Sequence, residues 1–108
     1  MAAHFTIKQG DTSPALSVQF KWDGSVVDLT DATVKMYMGL YDESSLLIDG
    51  ATCTITDAEN GEIEYAWQTG DTDVVGLYEV EFVVTFSDGT IQTFPNDQFL
   101  LIEIVEDK

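Results

Sequence analysis

The residues of this chain that chemistry could use begin with a repeated triplet. Gly-Asp-Thr occurs at Gly10 to Thr12 and again at Gly70 to Thr72. A phosphate loop needs backbone N–H groups converging at a helix start, with a lysine to finish it. Neither triplet leads into a helical pattern or a Gly-Lys pair, and the surroundings are acidic, so phosphate binding is set aside. Calcium takes oxygen-rich loops, and Asp28, Asp31, Asp57, Glu59, Asp71 and Asp73 all fall between predicted strands. The run GDTDVVG lacks the alternating acids and closing glutamate of an EF-hand loop. Loop aspartates more often form turns, because their carboxylates accept from nearby backbone amides. The turn reading is preferred, with a weak cation site as its alternative.

Other constellations are thinner. Cys53 is the single cysteine and His4 the single histidine, which excludes an internal disulfide and falls short of a zinc set. A nucleophilic Cys53 would need a histidine partner, whereas ATCTIT reads as a strand in which it is a small apolar residue. His4, near the N-terminus, reads as an edge-strand residue and not as a triad member. With 20 acids, carboxylate pairs are unavoidable and carry no weight as a glycosidase signal. Trp22 and Trp67 could form a sugar platform, but both keep step with apolar neighbours on their strands and are expected in the core. No enzyme activity, cofactor or metal is expected.

The charge balance excludes further classes. Twenty acids against four lysines (Lys8, Lys21, Lys35, Lys108) and no arginine give a formal charge of −16. Such a chain has no electrostatic footprint for nucleic acid or an anionic membrane. The acidity either serves solubility or leaves assembly to less acidic partners and apolar patches. The opening MAAHFTIKQG has no basic segment followed by a long apolar run, so no signal peptide is expected. No stretch approaches the ~20 apolar residues of a membrane helix. The product is expected to be soluble and made in the cytoplasm.

The elements that must position these residues repeat with period two. Leu16, Val18, Phe20 and Trp22 alternate with polar residues, as do Val34, Met36, Met38 and Leu40. Ile63, Tyr65 and Trp67 repeat the beat, and so do Tyr78, Val80, Phe82, Val84 and Phe86. This marks strands with one face on a core. Asp23-Gly24, Asn60-Gly61 and Asp88-Gly89 supply turn chemistry between them. Pro95 places its strand at an end or an edge, and DESSLL could form one helical turn. Residues 1–108 are therefore read as one all-β domain, an antiparallel immunoglobulin-like β-sandwich of about eight or nine strands. Asp73, Gly76 and Tyr78 fit the corner at which such sandwiches bond a tyrosine hydroxyl back to upstream backbone. Val80 stands where antibody domains carry a cysteine. The second triplet is then read as shaping an interstrand corner, and the first as shaping the loop before ALSVQFKW.

The order of the pieces resembles the N-terminal domain of phage baseplate upper proteins. It runs FTIKQGDTSPALSVQF, DGSVVDLTDATVKMYM, then IDGATCTITDAENGEIEYAWQTGDTDVVGLYEVEFVVTFSDGTIQTFPNDQFLLIEI. Asp31 stands in place of the glycine of a DLTGATV-like segment, and Gln98 in place of the glycine of a TFPNDG-like ending. The resemblance spans about Phe5 to Ile104 and is most specific from Tyr65 to Asp97. It implies a structural virion protein of a tailed phage, a docking module of the tail or baseplate. Its implied partners are other virion proteins in symmetric multi-copy assembly, in a particle made in the host cytoplasm. Phe5 and Ile7, Phe94 and Pro95, and Phe99 and Leu101 are the candidate contacts. The same strands could instead simply close the domain's own sheets. A capsid decoration or neck protein and a carbohydrate-binding module are the alternatives.

Overall fold

The computed structural model of the protein describes residues 3–41, 45–95 and 100–107. Its strands are β1 (Ala3–Lys8), β2 (Leu16–Gln19), β3 (Lys21–Trp22), β4 (Ser25–Val26), β5 (Thr33–Leu40) and β6 (Leu46–Thr52). They continue with β7 (Thr54–Asp57), β8 (Glu62–Tyr65), β9 (Gly76–Thr85), β10 (Ile91–Phe94) and β11 (Leu100–Val105). One 3-10 turn, Ala58–Asn60, stands between β7 and β8. Of DESSLL, considered for one helical turn, residues 42–44 lie outside the described residues, and Leu46 and Leu47 open β6 and so are not helical.

A six-stranded sheet runs β1-β11-β9-β5-β6, with β10 also paired to β9; a three-stranded sheet runs β2-β8-β7. Strand β9 organises the larger sheet. Strand β5 pairs antiparallel along it from Thr33 opposite Thr85 to Leu40 opposite Tyr78. The other side of β9 is shared, with β11 opposite Gly76 to Val80 and β10 opposite Phe82 to Thr85. Strands β10 and β11 thus lie along successive stretches of the same side of β9. The chain changes sheets at Cys53, whose N–H donates to the Val34 carbonyl at 2.9 Å.

Two sequence expectations are corrected. Eleven strands occur among the described residues, against the eight or nine expected. The excess comes mainly from the stretch around Phe20, which the two-residue beat carried through as one strand. The pairing is also not antiparallel throughout, because β1 lies parallel to β11, from Ala3 opposite Leu100 to Lys8 opposite Val105. Parallel neighbours need a long connection, and here nearly the whole domain lies between the two strands.

The two sheets share one apolar cluster, including Leu16 and Ile63 from the smaller sheet and Val34, Met36, Val80, Phe82 and Ile102 from the larger. Phe20 stacks on Phe94 with ring centroids 4.6 Å apart and lies 5.4 Å from Phe82. Trp67 packs in the core edge-on to Tyr65 at 5.4 Å. Trp22 does not join it. The Phe20 amide donates to Gly61 and the Val27 amide to Phe20, so the chain leaves the small sheet as a separate β3–β4 hairpin. Asp23 and Gly24 turn that hairpin with φ of 53° and 83°, the geometry Asp-Gly turns favour. Trp22 is left 51% exposed, which corrects its expected place in the core.

The two triplets bind each other. The Gly10 amide donates to the Thr72 carbonyl at 3.0 Å, and the Thr72 hydroxyl donates to the Asp11 carbonyl at 2.8 Å. Gln9 Nε2 adds a bond to the Asp73 carbonyl at 2.7 Å. Thr72 is the single buried polar residue among the described ones, at 1% exposure. Replacing its hydroxyl by a methyl keeps the shape but leaves the Asp11 carbonyl short of a donor. Thr72→Val is expected to cost about 1–3 kcal/mol. Urea unfolding should show this as a lower midpoint at unchanged slope; a midpoint equal to the parent's would show that water replaces the bond.

Candidate partner-contact surfaces

The six residues put forward for partner contact separate by the face they occupy. On β1, Ile7 is 4% exposed and belongs to the core, while Phe5 is half-buried with its ring 6.1 Å from Trp67. Phe94 is likewise spent on the core, stacked against Phe20. Lying at an edge frees a strand's backbone but not its inward side chains, so Ile7 and Phe94 offer no surface. Pro95 and Leu101 are half-buried, and Leu101 faces outward opposite Glu79. Phe99, and Asn96 and Asp97 of the TFPND loop, lie outside the described residues.

The corner residues sit where the second triplet meets β9. The Tyr78 hydroxyl donates to the Val74 carbonyl at 2.8 Å, four residues upstream. Gly76 leaves room for a neighbour, since a Cβ there would lie 3.2 Å from Leu40 Cδ2. Asp73 is exposed, and its backbone carbonyl holds Gln9. Asp71, not singled out for this corner, does more. Its Oδ2 accepts from the Tyr65 hydroxyl at 2.6 Å and from the Gln68 amide at 2.8 Å. Burial first, and then the Asp71 carboxylate, push the Tyr65 phenol well above its ordinary pKa.

Of the acids considered for calcium, Asp28 and Asp57, like Asp71, are used locally. Asp28 Oδ1 accepts from the amide and hydroxyl of Thr30, Asp88 repeats the arrangement with Thr90, and Asp57 accepts from Asn60. The side-chain bond, and then the backbone bond, hold Asp28 and Asp88 below the ordinary carboxylate pKa. What each turn contributes is complete above the ordinary value and is lost as pH falls through the depressed one. Among the described residues, no group of three His, Cys, Asp or Glu side chains is placed to hold a metal. His4 pairs with Glu103 at 3.3 Å on the surface. Cys53 is buried, and desolvation pushes its thiol up to about 11.

Sequence reasoning missed the apolar groups that remain outside. Besides Trp22 and its hairpin neighbour Val26, the exposed ones include Tyr41, Leu46, Leu77 and Ile91. Tyr41 and Leu77 are joined by the Tyr41 amide donating to the Leu77 carbonyl, and Leu46 stands opposite Gly39. Together with Leu101 they lie on the outer face of the larger sheet. Tyr37, Gly39, Leu46, Glu79 and Glu81 line a shallow open depression there.

The model of the BppU N-terminal domain, that of the baseplate upper protein, matches residues 2–107. The chain belongs to that family. As a BppU N-terminal domain it is also similar in fold to CopC from Methylosinus trichosporium OB3b. The TM-score is 0.55 and the identity 17%, over 99% of this chain and 88% of that one. At that identity the likeness concerns the fold. No curated protein matches the chain.

Two measurements check these placements. Trp22→Phe should remove the red-shifted, iodide-quenched part of the tryptophan emission and leave the blue-shifted part of Trp67. Addition of saccharides should not change the Trp22 emission; a saturable change would favour sugar stacking. Native Cys53, with almost no thiolate at pH ~8 and no access, should resist a thiol reagent and react fully only in denaturant. Rapid reaction of the native protein would show that the crossing between the sheets opens readily.

Proposed function

We propose that this BppU N-terminal domain is a non-enzymatic structural module of a tailed-phage baseplate, working by docking to other virion proteins. The family match over residues 2–107 carries this reading. The residues are consistent with binding more than with catalysis. His4 is occupied with Glu103 at the surface, and Cys53 is buried at the sheet crossing. The strand order, β1-β11-β9-β5-β6 facing β2-β8-β7, and the Tyr78–Val74 bond support the immunoglobulin-like form of the sandwich. Docking in several symmetric copies suits a small domain whose strand edges and exposed apolar residues can meet a neighbour.

Phe5, Pro95 and Leu101 remain the contact candidates among the described residues, and Phe99, outside them, stays a candidate as well. A second reading, a carbohydrate-binding module, is favoured by one observation, the half-exposed Trp22. Aromatic faces serve such binding, but this one stands on a two-residue strand opposite Ser25, while the exposed Val26 lies opposite Lys21 on the other face of the hairpin.

Mass spectrometry and cryo-electron microscopy of the purified particle test the proposal. Density for the domain at the baseplate is the expected result, and its neighbours there name the interface. Density on the capsid or neck would move the domain to a decoration or neck role. Absence from particles would overturn the structural reading.

A further inference from the structure

The outer face of the larger sheet is covered by no element among the described residues, and its side chains follow from the register. At one level Leu101, Glu79, Gly39 and Leu46 lie side by side across β11, β9, β5 and β6. At the next level on one side Glu103, Leu77 and Tyr41 continue the face; on the other, Glu81, Tyr37 and Asp49 do. Gly39 has no side chain to fill its place, and none could be added. A Cβ there would come within 2.5 Å of the Ser45 carbonyl oxygen, where β6 bulges towards β5. The result is the depression between Leu46, Tyr37, Glu79 and Glu81.

Charge on this face is unbalanced. Among the described residues no hydrogen bond or ion pair reaches the carboxylates of Glu79 or Glu81. The nearby cation Lys35 points its ammonium at Thr52 Oγ1, 2.8 Å away, and His4 is held by Glu103. Around these acids Leu46 is 50% exposed, Tyr41 46% and Leu77 38%. Apolar surface of this kind, rimmed by charge, is what protein-binding faces present.

The occupant follows from the signs. A second copy would bring this face against itself about a two-fold axis, setting Glu79 and Glu81 against like charges. Nucleic acid and anionic lipid meet the same repulsion. We infer that the outer face over Gly39 docks a protein segment carrying lysine or arginine between apolar side chains. The cation enters the depression between Glu79 and Glu81, and the apolar groups rest on Leu46, Leu77 and Leu101. This deepens the docking reading by naming the chemistry of the partner, and it places the contact on the outer sheet face, where Leu101 is the terminal-strand candidate that takes part.

The test uses the whole isotope-labelled domain and a short synthetic peptide of alternating leucine and lysine, followed by NMR. Shift changes are expected to concentrate on the outward residues of β5, β6, β9 and β11. The peptide with glutamate in place of lysine should leave the spectrum unchanged. Glu79→Gln with Glu81→Gln should weaken binding about tenfold, whereas Glu59→Gln with Glu62→Gln, equal in charge but away from this face, should weaken it less than about twofold. Leu46→Ser should weaken it at unchanged charge. Equal losses from both glutamate pairs, shifts spread over the whole acidic surface, or no binding would each overturn the inference. The mapping needs no particle, so its result is independent of whether the chain is found in virions.

Discussion

Thr72 fixes how the two ends of the fold's longest loops meet. Its hydroxyl and its carbonyl both bond the first triplet, one as donor to Asp11 and the other as acceptor from Gly10. The adjacent Asp71 holds the Tyr65 hydroxyl and the Gln68 amide. Three elements are thereby tied at one point: the exit of β1, the exit of β8 and the entry to β9. Burying a hydroxyl is costly unless its bond is made, so the site accepts one geometry. That geometry sets the lead-in to β9, against which β5, β10 and β11 are all registered.

Much of this was legible because strand alternation is a local property. The beat in TVKMYMGL returns as β5 with the same ends, and that of LYEVEFVVTF as β9 shifted by one residue. The turn chemistry of Asp88-Gly89 appears as Gly89 at φ 90° with Thr90 bonded to Asp88. The repeated triplet was visible, but its meaning was not. Residues 61 apart in the chain leave no periodic trace of their contact. Local turn logic therefore read each triplet alone, when each completes the other.

The failures have a similar cause. Trp22 continues the alternation of Leu16, Val18 and Phe20, but the Phe20 amide is claimed by Gly61 and the strand leaves its sheet. No pattern within ALSVQFKW records a carbonyl 41 residues away. Ile7 and Phe94 are contact candidates only by lying in the N-terminal strand and the TFPND loop, whereas the inward face of such a strand is still core. The outer face with its depression depends on the bulges between β5 and β6, and these are set by pairing and not by either strand's own sequence.

The parallel pairing of β1 with β11 also bears on mechanical load. Six residue pairs join these strands in register. Force drawing the chain away before Ala3 and beyond Val105 would act along both strands in opposite directions. The ladder between them would then be sheared, with its hydrogen bonds strained together and not peeled one at a time. A hairpin pulled at its open end yields bond by bond, whereas a sheared pair resists until the whole ladder gives way. The domain therefore has a built-in clamp along the line on which neighbours in a chain would pull it.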